Sequence, residues 1–167
     1  SLIDCGANGG VAGSDAQIIS CTDCLVDITG INDHELQGIP IGTAGAIVES
    51  HKGPVIAIFN QYALFGRGKT IHSAGQLENY KLDVNDKSMK TNGGLQQIST
   101  PDGYMFPIDI IHGLPYTPMR PFTDDEWNKL PHVIWTNEVE WDPTVLDHKI
   151  SDRDNWFQDI DQPADLD

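Results

Sequence analysis

Turn-forming clusters recur so closely along the first 120 positions that no helix of ordinary length fits between them. Apolar stretches such as CLVDITGI, IPIGTAGAIVES and GPVIAIFNQYAL are cut off by INDHELQG, HKG, GRGKT and NDKSMKTNGG. Gly supplies positive φ and Pro removes a backbone donor, so sixteen Gly and ten Pro in 167 residues favour short strands. Strands at spacings of roughly 8 to 12 residues predict an all-β fold, a small barrel or sandwich. A hairpin turn is expected around Gly53, one short helical segment in SAGQLENY, and further strands over LQQIST and YMFPIDII. From Pro115 the character changes, with four prolines by Pro131 and Thr123 placed to cap a short helix over DDEW.

Charge narrows the function classes. The net charge is −15, and 13 acids against 3 Lys or Arg lie beyond residue 120, compared with 12 against 7 before it. No basic patch is available to neutralise phosphates, which speaks against nucleic acid as a partner of this segment. No apolar run reaches the roughly 18 residues that a membrane span needs, and no signal-peptide pattern opens the chain. The first residues already read as a core strand without an initiator Met, the expectation for a segment of a longer polypeptide. An odd number of cysteines, three, gives no disulfide framework and points to a reducing compartment.

The chemistry concentrates at the start, in LIDCGANGGVAG. Leu2 and Ile3 deliver Asp4 into a turn of small residues, Cys5, Gly6 and Ala7. An apolar strand ending in Asp-Xaa-Gly-Ala is what an aspartic peptidase requires. Two carboxylates about 3 Å apart cannot both ionise, so one acts as general base on water while the other stays protonated. A Gly-Ala turn lets two such loops approach. The plainer reading is an Asx-turn after a strand.

Taken as a set, LIDCGANGGVAG, VDITGINDHEL, IPIGTAGAIVES, FNQYALFGRGKTIHSAGQLENYKLDV, ISTPDGYMFPIDIIHGLPY and LPHVIWTNEVEWDPTVLDH resemble the protease segment of copia-type retrotransposon polyproteins. The resemblance implies a retropepsin-like domain over residues 1–97, a connector toward the integrase over 98–148, and an acidic tail, 149–167, with little core of its own. It implies one catalytic Asp4 per chain with Cys5, Gly6 and Ala7 forming its loop, and hence a homodimer, since no second DSG or DTG is present. The substrate implied is the element's own polyprotein, cut in an intracellular, cytoplasmic particle, with no metal or organic cofactor. VDITGINDHELQG is the preferred flap over the substrate, ahead of the hairpin from His51 to Gly53.

One position departs from the family. Cys5 stands where Ser or Thr is usual, and a thiol is a weaker hydrogen-bonding group than a hydroxyl. This opens a second reading, a catalytically silent homologue that binds or scaffolds; the bland account of Cys5 is a small buried residue. A third reading, a zinc-stabilised interaction domain, rests on Cys21 and Cys24 in CTDC and would have to recruit Cys5 and His34. The other histidines, 51, 72, 112, 132 and 148, lack metal spacing. His72, in an apolar strand, is expected as a satisfied core histidine. Ser73 beside it has no triad partners. GANGG could offer backbone amides to an anion, but Asp4 would repel it. Trp127, Trp135 and Trp141 are expected to pack the C-terminal segment onto the β core.

Overall fold

The computed structural model describes residues 1–31 and 34–147, and it is all-β in class. β1 (Leu2–Asp4) and β2 (Val11–Ala12) are short, whereas β3 (Gln17–Ile31), β4 (His34–Ser50) and β5 (Gly53–Leu64) are long. This corrects the expectation of uniformly short strands. INDHELQG is not one polar turn, because its last five residues already belong to β4. Bulges absorb the polar and glycine residues that interrupt the alternation. Between Cys21 and Leu25, for instance, three residues of β3 stand opposite Ile41 alone.

β6 (Ile71–Ser73) runs directly into α1 (Ala74–Asn79). The main sheet runs β3, β4, β5, β2, β6, β1 and is extended by a hairpin of β11 (Leu114–Tyr116) and β10 (Asp109–Ile111). His112 and Gly113, both at positive φ, make the two-residue turn of that hairpin. β7 (Asp83–Asn85), β8 (Gln97–Ser99) and β9 (Met105–Pro107) form a separate antiparallel sheet. YMFPIDII is therefore two strands, β9 and β10, in different sheets.

β5 is buried almost along its whole length because both of its faces are covered. Val55, Ala57 and Phe59 enter the main core, while Ile56 and Ile58 point the other way onto Ile47, Phe122, Trp127 and Leu130. Trp127 belongs to α2 (Asp124–Lys129), which starts with a capping box between Thr123 and Glu126. Such a cap contributes about 1 kcal/mol to a short helix. β12 (His132–Thr136) lies parallel to β5 and is pinned by Asn60, whose Nδ2 donates to the Thr136 carbonyl at 2.8 Å.

The boundary expected at 97/98 falls inside β8. Ile98, Phe106, Ile108, Val133 and Trp135 share one buried cluster with Ile3, Phe59 and Leu77. β11 pairs with β1 and β12 with β5, so residues from both sides of that boundary build the same sheet. The tail from 149 to 167, and His148, lie outside the described residues. Among the described residues no helix is long and apolar enough to cross a membrane.

Candidate active site

β1 and β2 are consecutive in sequence but not neighbours in the sheet. β6 lies between them, parallel to β1 and antiparallel to β2. The connection from Asp4 to Gly10 therefore has to arch over the end of β6. Asp4 stands opposite Ser73, the last residue of β6. The turn is local at first: Asp4 Oδ1 accepts from the Gly6 amide at 2.8 Å, and the Ala7 amide donates to the Asp4 carbonyl.

Side chains from afar then hold the arch. Ser73 Oγ donates to the Ala7 carbonyl at 2.8 Å and also accepts from the Gln76 amide, which caps α1. Gln76, fully buried, accepts from the Gly10 amide at 2.8 Å through Oε1 and donates through Nε2 to the Gln61 carbonyl at 2.9 Å. Trp141 donates its indole N–H to the Asn8 carbonyl at 2.7 Å. Gly10 can only be glycine, since a Cβ there would stand 2.4 Å from the Tyr62 ring.

Beneath the arch lies an aromatic group. Phe59 stacks on Tyr62 at 5.2 Å and meets His72 and Trp135 edge-on. His72 is fully buried, as the sequence led one to expect. Its Nδ1 faces the Tyr62 hydroxyl at 2.7 Å and its Nε2 faces Ser1 Oγ at 3.0 Å. Ser1 Oγ donates its own proton to the Thr117 carbonyl, so it must accept from Nε2. With the ring held neutral by burial and its proton on Nε2, Nδ1 is the acceptor of the Tyr62 proton. Burial pushes the His72 pKa down to about 3 and the Tyr62 pKa up.

Above the arch a cleft of about 400 Å³ opens between the Asp4 loop and the outer part of the β3–β4 hairpin. Val26, Asp27, Ile28 and Thr29 line it opposite a set of small and branched residues, and Asp4 is half-buried on its wall. These are residues of VDITGINDHELQG. The His51–Gly53 turn instead packs on β9, with the His51 amide donating to the Met105 carbonyl, and lines no part of the cleft.

Of the four residues named from the sequence, Asp4, Gly6 and Ala7 line the cleft and Cys5 does not. Cys5 and Gly6 are exposed, which overturns the idea of Cys5 as a small buried residue. Cys21 and Cys24 are exposed on β3, and no group of three His, Cys, Asp or Glu able to hold a metal occurs among the described residues. The GANGG amides are not turned outward as an anion cradle at Gly6, Ala7 or Gly10, whose N–H groups are all bonded within the protein.

Sequence reasoning did not single out Gln76, Gln61 or Trp141 for this site. For Gln76 a signal existed, since a polar residue sits between Ala74 and Leu77 on the buried side of a short helix. For Gln61, at φ +63, and for Trp141 there was none beyond residue type. Trp135 and Trp141 do bring the C-terminal segment onto the β core, as expected. Compared with protein-family models, curated proteins and solved structures, the chain matches none.

Proposed function

We propose that this chain is an aspartic endopeptidase-like domain in which Asp4 of two identical copies forms the catalytic pair. The observation that carries the reading is the position of Asp4 at the end of a strand inside the main sheet, on the wall of a cleft roofed by a long hairpin. Cys5 and Gly6, exposed beside it, leave the flank of the loop free for a second copy. In such a pair one carboxylate takes a proton from water, whose oxygen attacks the scissile carbonyl carbon. The other carboxyl gives its proton to the carbonyl oxygen, and collapse of the gem-diol expels the amine as it is protonated. The copia-type resemblance supports a retropepsin-like site and names the element's polyprotein as substrate.

The experiment is peptide cleavage at acidic pH with pepstatin as inhibitor. Asp4→Asn is expected to lower the rate by about a hundredfold or more; a variant that still cuts would remove Asp4 from the mechanism. A second reading, a silent homologue acting as a binding module, is favoured by Cys5. It expects no cleavage by the natural chain and a gain in Cys5→Ser, and an unaltered Cys5→Ser variant counts against it.

A further inference from the structure

We propose that Trp141 is a positioning residue for the Asp4 loop and one wall of the cleft, so that residues beyond β12 belong to the working site. This rests on the aspartic-peptidase reading above. After β12 the chain turns back, and the Tyr80 hydroxyl holds the Val139 carbonyl on the way. Trp141 then makes two polar contacts that both lead to the arch. Its indole N–H bonds the Asn8 carbonyl, and its backbone N–H bonds Gln61 Oε1 at 3.3 Å. Gln61 in turn offers its carbonyl to Gln76, which holds Gly10. Asn8 and Gly10 are therefore gripped from two distant parts of the chain that are themselves joined through Gln61.

The indole also lies against Gly9, where an added Cβ would meet Trp141 Nε1 at 3.4 Å and Gln76 Oε1 at 3.9 Å. Both distances are ordinary van der Waals contacts, so Gly9 sits packed between the two grips. Trp141 and Pro143 line the same cleft as Asp4 and Val26 to Thr29. A peptide in that cleft would touch the indole, and the same indole fixes the peptide group four residues after the reacting acid. Fastening the C-terminal segment accounts for the bond to Asn8 but not for a place on the cleft wall.

The test compares Trp141→Phe, which keeps an aromatic ring and loses the donor, with Trp141→Ala, which also removes the wall. In Trp141→Phe, kcat is expected to fall about fivefold with KM nearly unchanged and the melting temperature within a few degrees of the natural chain. In Trp141→Ala, KM is expected to rise by about tenfold in addition. Amide exchange at Gly6, Ala7 and Gly10 should quicken in both variants while β5 stays protected. Trp141→Phe with unchanged exchange in the loop overturns the positioning role, and Trp141→Ala with unchanged KM overturns the wall. If the natural chain cuts no peptide and binds no pepstatin, the aspartic-peptidase reading fails, and the exchange measurement alone then decides whether Trp141 holds the loop.

Discussion

The floor and the roof of the cleft are built on opposite plans. The floor, from Asp4 to Gly10, is a short loop with little regular structure, fixed by Ser73, Gln76 and Trp141 and backed by buried Tyr62 and His72. The roof is regular strand, yet β3 is an edge with repeated bulges, and Leu25, Asp27 and Thr29 on it are exposed. Its side-chain ties across the hairpin, among the described residues, are exposed ones: Thr22 Oγ1 donates to the Ile41 carbonyl at 2.7 Å, and Asp27 Oδ1 accepts from the Gly38 amide at 3.1 Å. Backbone regularity does not decide which part is rigid. Burial of the groups that satisfy the backbone does. The proposed peptidase would need a fixed acid and a cover that can lift, and the two plans fit those two parts.

The largest expected effect comes from acid, and it falls on the floor. His72 has a folded pKa of about 3 against 6.5 unfolded, so the unfolded chain binds the extra proton between those values. The stability that His72 contributes is thus complete above pH 6.5 and is lost progressively as pH falls toward 3, by on the order of 3–5 kcal/mol in total. Protonation also turns Nδ1 from acceptor to donor against the Tyr62 hydroxyl. Urea midpoints from pH 7.5 to 4 should fall more steeply for the natural chain than for His72→Gln; equal slopes would mean that the floor is not backed by a neutral imidazole. Under the proposed paired-carboxylate hydrolysis, which favours acid, this loss would set a lower limit to the working pH.

Next in size is a pair of glycine substitutions. Gly10→Ala on the floor drives a methyl into the Tyr62 ring and is expected to cost about 3 kcal/mol or more. Gly38→Ala on the roof meets no atom within 4 Å, and only its φ of +69 resists, at about 1 kcal/mol. Thermal unfolding of the two proteins reads the contrast directly, and comparable losses would erase the distinction. Smallest is the comparison of Gln76→Leu with Asp27→Ala. The first leaves the buried Gly10 amide unpartnered, for about 2–3 kcal/mol. The second removes an exposed contact, for about 0.5 kcal/mol or less. Should Asp27→Ala prove the more damaging, the hairpin would be the more tightly built half.

Much of the local architecture was legible in advance because it depends on neighbours in sequence. The turn at Gly53, the helix that Ser73 caps and the capping box of Thr123 all follow from residues within four positions of one another. The hairpin was only half legible. Its bulges break the two-residue period, so CLVDITGI was visible as a strand while its continuation back to Gln17, and β4 from His34, were not. The expected boundary at 97 failed to anticipate that Phe106 and Trp135 fill the same core as Phe59.

By itself the sequence determined the all-β class, the small-residue loop that carries Asp4, and the acidic net charge. Those are matters of composition, short-range backbone preference and net charge, each written in adjacent residues. Only the tertiary structure decided what holds the loop: the bonds from Gln76 to Gly10 and from Trp141 to Asn8 join residues 66 and 133 positions apart. No local preference encodes such contacts. They exist because β6 enters between β1 and β2, which leaves the amides and carbonyls of the arch in need of partners that only a folded chain can bring.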